Sequence, residues 1–379
     1  MPTVSIKKCK TYDKKKVKKL ILDSLKEIGF NLNKWKNKRI LLKPNLLGPY
    51  PPKDCITTHP IVIEAVAEIF KKVTKKITIA DSSDISFERD TKALEVTGMK
   101  KVAKKLKINT FIFKAEDMMH EKTHGKVLKE ICLAKSLKDF DLIVNIPKLK
   151  THMLTEMTAA VKNLFGLVPS FYKRKYHILG KNHTKFANLI VDIFKHIKPE
   201  LSILDAIEGL EGDGPGKTGI PKKTGLILTS DNALALDLVV ADITGFENLL
   251  TNKYGLERGL IKKNFKVIGE KPKIPYKKPS GIKLTLAPIV INLFHDFVVK
   301  KPYINEKCQK CMKCVGACPA EAMKLKNGKI VIDRSKCIYC YCCSEFCPYK
   351  AIDHKRSFIG NYLERLHNKL MKRPTKKCS

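Results

Sequence analysis

Short apolar runs alternate with amphipathic stretches along the first two thirds of the chain. Residues 4–6, 39–42, 77–80, 110–113, 142–146, 201–204 and 225–229 are compact and rich in Ile, Leu and Val, as buried strands are. Between them, residues 16–28, 60–72, 91–106, 155–167, 185–197 and 233–243 carry apolar positions at helical spacing. This alternation predicts an α/β domain over residues 1–268, built as a doubly wound, mostly parallel sheet. Thr57 and Thr58 followed by His59 and Pro60 predict a helix entry, because Pro fits the first turn.

Ligands in such sheets sit beyond the carboxyl ends of the strands. Those ends are polar here. Lys43, Pro44 and Asn45 follow the second run, and Asp81, Ser82, Ser83 and Asp84 follow the third. Lys148, Lys150, Thr151 and His152 follow the fifth, Asp205, Glu208 and Asp213 the sixth, and Ser230, Asp231 and Asp237 the seventh. Strands commonly end in polar turn residues. Five ends with recurring Lys and Asp instead predict a crevice for an anionic small molecule, with His152 or Asp81 handling protons. Lys162, on the helix expected over 155–167, reads either as a crevice residue or as a solvated lysine.

Residues 209–218 nearly match two nucleotide motifs. The phosphate-loop pattern requires Gly at Glu211, and Pro221 stands where a helix should begin. Gly214, Gly216 and Gly219 have dinucleotide spacing but neither directly follow a strand nor open a helix. An acidic turn or lid over the crevice is the better reading. The basic, aromatic stretch 170–184 reads as a surface loop.

Beyond residue 268 the pattern breaks. Pro272, Pro275, Pro279, Pro288 and Pro302 mark a linker over 269–302. A small module, 303–353, then holds Cys308, Cys311, Cys314 and Cys318 in the order C-x2-C-x2-C-x3-C, followed by Pro319. Twenty-nine residues later the figure returns as Cys337, Cys340, Cys343 and Cys347, followed by Pro348. This is the bacterial ferredoxin run, and it predicts a small α+β two-cluster ferredoxin-like domain holding two [4Fe–4S] clusters. In such domains the fourth Cys of each run ligates the other cluster. Cluster one then takes Cys308, Cys311, Cys314 and Cys347, and cluster two takes Cys337, Cys340, Cys343 and Cys318. Zinc favours two separated C-x2-C pairs, and a chain without a signal segment uses such cysteines for metal or redox work rather than disulfides. Cys342 falls outside the spacing and reads as a non-ligand, while Cys9, Cys55, Cys132 and Cys378 share no pattern. Asn327-Gly328 predicts a hairpin inside the module. Residues 354–379 form a basic tail with eight Lys or Arg against Glu364, and Phe358, Tyr362, Leu366 and Leu370 fall on one helical face.

Lys and Arg number 74 against 37 Asp and Glu, a formal charge of +37. That excess favours acidic partners: an acidic redox protein, an anionic membrane or nucleic acid. A compositional origin stands beside it, since Lys is scattered throughout and Lys-rich usage fits a thermophilic source. Met1 to Lys10 lacks the apolar core of a signal peptide. The apolar stretch 284–299 is too short to cross a bilayer, so the cytoplasm is the expected compartment.

The ordered set Lys43-Pro44-Asn45, Thr58-His59-Pro60, Asp81-Ser82, Pro147 to His152, Lys162-Asn163-Leu164-Phe165-Gly166, Asp205-Ala206 and Gly212 to Pro215 resembles the domain-of-unknown-function 362 family. The resemblance covers about residues 38–250 and 302–353, and many members carry a C-terminal double-cluster ferredoxin. It implies a shared crevice formed by Lys43, Asn45, His59, Asp81, Lys148, Lys150, His152, Lys162, Asn163 and Asp205, without supplying a reaction. The leading expectation is an iron–sulfur redox protein whose ferredoxin module exchanges single electrons with that crevice. The rivals are a non-catalytic electron carrier or assembly factor and, for the charge alone, a nucleic-acid-binding protein. Anaerobically purified protein should contain about eight iron atoms and as many acid-labile sulfides per chain. Zinc in their place, or iron without sulfide, overturns the cluster reading.

Overall fold

The computed structural model describes residues 1–82, 87–113, 118–180, 182–262, 264–279 and 301–355. Ser83, Asp84, the apolar stretch 284–299 and the tail from residue 356 onward lie outside the described residues. Strands β1 (Thr3–Lys8), β2 (Ile40–Lys43), β3 (Ile77–Asp81), β4 (Asn109–Ile112), β5 (Met118–Lys122), β6 (Glu130–Ala134), β7 (Leu142–Asn145), β8 (Lys148–His152), β9 (Glu156–Thr158), β10 (Leu201–Gly212), β11 (Gly219–Ser230) and β12 (Lys266–Ile268) precede the module. The helices among them are α1 (Lys14–Glu27), α2 (Pro60–Phe70), α3 (Phe87–Val96), α4 (Met99–Leu106), α5 (Ala160–Asn163), α6 (Ser170–Leu179), α7 (His183–Ile197), α8 (Ala233–Thr244) and α9 (Leu250–Glu257).

Ten strands form one sheet in the order β12-β1-β11-β10-β7-β2-β3-β4, with β8 paired to β10 and β9 to β8. From β10 to β4 every neighbouring pair is parallel, while β11 runs antiparallel to both β10 and β1. The α/β domain is therefore mostly parallel with an antiparallel margin, and the small module follows it. Consecutive residues of the central strands point into different cores. Leu41, Ala80, Leu204 and Leu228 join one apolar cluster; Ile40, Leu42, Ile79, Ile203 and Ile227 join the other. That two-sided burial is why these runs are apolar at every position rather than alternating.

Local chemistry ends the helices where the pattern says it should. Asp13 accepts the Lys16 N–H at 2.7 Å at the start of α1. Asn232 accepts the N–H groups of Leu234 and Ala235 at the start of α8, and Gly245 ends that helix with φ 78°. At α2 the cap is the His59 ring, whose Nδ1 accepts the Ile61 N–H at 3.2 Å, with Pro60 in the first turn.

The structure redraws three expectations. The helix expected over 91–106 is two helices, α3 and α4, separated at Thr97 and Gly98, the latter with φ 82°. The helix expected over 155–167 is strand β9, the single turn α5 and a 3-10 turn, Leu164–Leu167. Glu156 with φ 64° turns β8 back onto β9, and the Lys148–His152 segment thereby becomes a strand rather than a loop. The loop expected over 170–184 is mostly helix, α6 followed by the start of α7. The glycine-rich segment is narrower than expected, because β10 runs through Gly212 and only residues 213–218 form the turn into β11.

In the module, β13 (Lys301–Ile304) pairs antiparallel with β16 (Ile352–Lys355), and β14 (Met323–Lys326) with β15 (Lys329–Ile332). The β14–β15 turn has Asn327 at φ 49° and Gly328 at φ 68°, the left-handed pair that a tight hairpin requires.

The turn Leu164–Leu167 is pressed onto the ends of β2 and β3. Ser82 donates from its backbone N–H at 2.9 Å and from its hydroxyl at 2.8 Å to the Gly166 carbonyl. A Cβ at Gly166 would sit 2.0 Å from Asp81 Oδ1 and 2.6 Å from Lys43 Nζ. Gly166→Ala should therefore force the buried Lys43–Asp81 pair apart and lower stability by about 3–5 kcal/mol in urea unfolding. A loss under about 1 kcal/mol would show that the turn can lift away.

Candidate functional site

The carboxyl ends of β2, β3, β8 and β9, with α5, α6 and the turn Leu164–Leu167, surround a cavity of about 80 Å³. Asn45, Asp81, Lys150, His152, Lys162 and Asn163 of the expected crevice line it. Lys43 sits directly beneath, fully buried, with its ammonium 2.9 Å from Asp81 Oδ1 and 2.8 Å from the Pro44 carbonyl. Asp81 also accepts the N–H groups of Leu46 and Ser82, at 2.8 and 2.9 Å. Burial pushes the Asp81 carboxyl up and the Lys43 ammonium down, and their mutual hydrogen bond opposes both shifts.

His59, Lys148 and Asp205 do not line this cavity. They form a separate buried knot with Tyr12. Lys148 Nζ lies 3.0 Å from Asp205 Oδ2 and 2.8 Å from the Tyr12 hydroxyl, which in turn donates to Asp205 Oδ1 at 3.0 Å. The His59 ring stacks on Tyr12 at 3.6 Å, and its backbone N–H donates to Asp205 at 2.9 Å. Burial lowers the His59 pKa to about 4, so the ring is a neutral helix cap at physiological pH. This knot ties α2, β8 and β10 to the segment before α1.

The cavity gains residues that the strand-end reading did not include. Lys173 and His177, four apart on α6, both face it, and the Lys173 ammonium donates to the Ser82 carbonyl. Their i, i+4 spacing in the basic stretch was the available signal; reading that stretch as a loop concealed it. Lys162 and Lys173 lie 5.8 and 6.0 Å from the centre of the Phe165 ring, which also lines the cavity. Lys150 Nζ donates to the Ile56 carbonyl at 2.7 Å. His152 Nδ1 accepts the Leu154 N–H at 3.0 Å, an arrangement that puts the ring proton on Nε2.

Cys342 and Phe346 of the ferredoxin module complete the lining. They also pack with Ala317, and Leu47 and Cys340 lie against that group. Cys342, outside the cysteine spacing, thus contributes to the wall between the module and the cavity. The other unpatterned cysteines lie elsewhere: Cys9, Cys55 and Cys132 are buried, and burial pushes Cys55 and Cys132 up to about 11. Cys378 lies outside the described residues.

Within the module, Cys308, Cys311, Cys314 and Cys347 line one small cavity with Ile304, Ile330 and Ile352. Burial first, then repulsion from Cys340, Cys337, Cys318 and Cys314, pushes the Cys343 thiol well above its usual value. The backbone repeats as the sequence does. Lys310, Met312 and Glu321 have φ 51°, 61° and 51°, and Tyr339, Tyr341 and Lys350, each 29 residues later, have φ 52°, 62° and 53°. Such left-handed non-glycine residues are costly unless the surroundings enforce them. Ala322 and Ala351 donate backbone N–H groups at 3.2 Å to Cys318 and Cys347. Among the described residues no three His, Cys, Asp or Glu side chains converge as they would on a single ion. Four thiols of the first set ring a cavity, a donor set that fits an iron–sulfur cube.

An α/β sheet with a basic cavity at its strand ends, closed by a ferredoxin-type module, defines an iron–sulfur protein equipped for electron transfer. Residues 40–242 match the model described as Domain of unknown function (DUF362), and residues 301–348 match a 4Fe-4S dicluster domain. The first match spans more than half of the chain, which belongs to that family. The chain is 38% identical over 207 residues to thylakoid-associated protein sll1697 of Synechocystis, covering 54% of this chain and 62% of that protein, under two thirds of its length. The module is 36% identical over 53 residues to a ferredoxin of Methanothermococcus thermolithotrophicus, 13% of this chain and 88% of that one. It is 42% identical over 53 residues to pyruvate synthase subunit PorD of Methanocaldococcus jannaschii, 14% of this chain and 62% of that subunit. Among solved structures, lactate racemase apoprotein from Thermoanaerobacterium thermosaccharolyticum aligns with TM-score 0.38 and 10% identity, over 53% of this chain and 50% of that one. Among the described residues no helix is long and apolar enough to cross a membrane.

Burial holds His177 near pKa 3 and His152 well below the usual histidine value of 6.5. Both rings are neutral in the folded protein, whereas unfolded histidines bind protons below about pH 6.5. Stability should therefore fall as pH drops from 6.5 toward 4, each ring contributing about 1.4 kcal/mol per pH unit. His177→Phe, which retains the stack on Phe186, should flatten this slope in urea titrations at stepped pH; an unchanged slope would place the ring in water.

Proposed function

We propose that the protein is an iron–sulfur redox protein in which two [4Fe–4S] clusters exchange single electrons with an anionic small molecule held in the α/β cavity. The observation that carries this reading is the shared wall: Cys342 and Phe346 line the cavity and pack beside Cys340. Cys308, Cys311, Cys314 and Cys347 would hold one cluster, and Cys318, Cys337, Cys340 and Cys343 the other. When bound, the clusters supply reversible one-electron transfer.

The chain's own residues supply the rest. Lys150, Lys162 and Lys173 reach the cavity from three segments and attract the anion, in a pocket where Asp81 is already neutralised by Lys43. His152 donates from Nε2 and orients the ligand. Because its Nδ1 is committed to backbone, His152 does not take the proton-accepting role expected of it. The buried His177 ring serves as a hydrogen-bonding group rather than a base. Cys340 of the second set packs beside the cavity wall, so the cluster it would hold is the one that serves the ligand. The first set offers the exposed Cys311, amid exposed Lys307, Lys310, Lys313 and Lys350, to a redox partner of acidic character. Each electron that enters the ligand leaves the partner, or the reverse.

Small anions added to the reduced holoprotein should change the paramagnetic resonance signal of one cluster and leave the other unchanged. Lys162→Gln should weaken that response about tenfold with the visible cluster absorbance intact. If no small anion perturbs either cluster, the module serves as an electron carrier without a ligand in the cavity, and the reading fails.

A further inference from the structure

The cavity holds hydrogen-bonding capacity that its lysines do not meet. Among the described residues, Asn45 Oδ1, Thr158 Oγ1 and His177 Nδ1 are buried, have no hydrogen-bond partner, and belong to side chains that line it. Thr158 is 2% exposed and His177 8%. Buried polar atoms are rarely left this way unless a ligand or water completes them.

Asn45 is the most informative of the three, because its orientation is set by a chain of amides. Asn145 Nδ2 donates at 2.9 Å to the Ala160 carbonyl, a group that can only accept. Asn145 Oδ1 is therefore the acceptor for Asn163 Nδ2, at 2.8 Å. Asn163 Oδ1 then accepts from Asn45 Nδ2, also at 2.8 Å. Turning over any one amide would set two donors or two acceptors against each other. The chain leaves Asn45 with an unpaired oxygen in a cavity otherwise rich in cations. That oxygen repels a carboxylate or phosphate oxygen and calls for an N–H or O–H.

We infer that the ligand is a small acid that carries a hydrogen-bond donor beside its negative group: a hydroxy- or amino-carboxylate, or an oxyanion that keeps one proton. The negative group meets the lysines and the donor meets Asn45 Oδ1, with Thr158 Oγ1 and His177 Nδ1 on the remaining polar atoms. A cavity of about 80 Å³ suits such a molecule, being room for about half a dozen waters. This inference rests on the anionic-ligand reading above and deepens it.

The test is calorimetric titration of the anaerobic holoprotein at pH 7 with glycolate, propionate and inorganic phosphate. Glycolate and propionate differ in a hydroxyl against a methyl at nearly equal size. Glycolate is expected to bind at least about tenfold more tightly than propionate, because propionate leaves the Asn45 oxygen unpaired. Phosphate, which retains a proton, should group with glycolate. Asn45→Ala should bring glycolate and propionate within about twofold, with iron content and cluster absorbance unchanged; the wild-type comparison stands without it. Equal affinities in the wild type, or a preference that survives Asn45→Ala, overturn the inference and leave the anion reading in place. If none of the three binds, both fail.

Discussion

The buried Lys43–Asp81 ion pair sets the geometry on which the site depends. Two charges taken out of water cost several kcal/mol each unless the surroundings complete them. Here the completion comes from the Pro44 carbonyl and from the N–H groups of Leu46 and Ser82. Those partners hold the first residues after β2 and β3 in place, and Ser82 in turn anchors the turn that carries Phe165 and Gly166. A hydrophobic pair of similar volume could fill the same space, but it would leave these backbone groups unmet. The pair is thus better understood as a register device for the strand ends than as a source of stability.

A second buried pair, Lys148 with Asp205, has a different task. With Tyr12 and His59 it closes on itself and does not line the cavity at the strand ends. The two constellations look alike as strand-end Lys and Asp residues, and only the three-dimensional path of β8 separates them. After Pro147 the chain forms a further strand along β10 instead of a loop, carrying Lys148 toward Asp205 and Lys150 and His152 toward the cavity.

Much of the architecture was legible because the central strands are buried on both faces and therefore apolar without interruption. The polar strand ends were legible because Lys and Asp recur at several of them, although the recurrence does not separate the cavity residues from the Lys148–Asp205 knot. What stayed hidden depended on backbone turns and on partners distant in sequence. The left-handed Glu156, which splits 155–167, has no distinctive side-chain signature. Residues 170–179 read as a loop because their charged and aromatic character suggests solvent, whereas Tyr176 and His177 are buried against Phe165 and Phe186. Asn145 carries no signal inside an apolar strand, although it fixes the orientation of Asn45 and Asn163. Cys342 was legible only as an exception to a spacing rule, since its neighbour across the cavity lies in another domain.

The short helix Cys342–Glu345 has a consequence for how such a chain can change. Cys343 belongs to a metal-binding spacing, while Cys342 faces the α/β cavity, so adjacent residues answer to different surfaces. Small ferredoxins are often regarded as interchangeable cassettes, fused wherever electrons are needed. This one is not a cassette. A transplanted module with intact cysteine spacing would still leave the cavity without Cys342 and Phe346 unless it carried those two residues as well. Two residues of the module are thus part of the α/β cavity, and a change at either alters both surfaces at once.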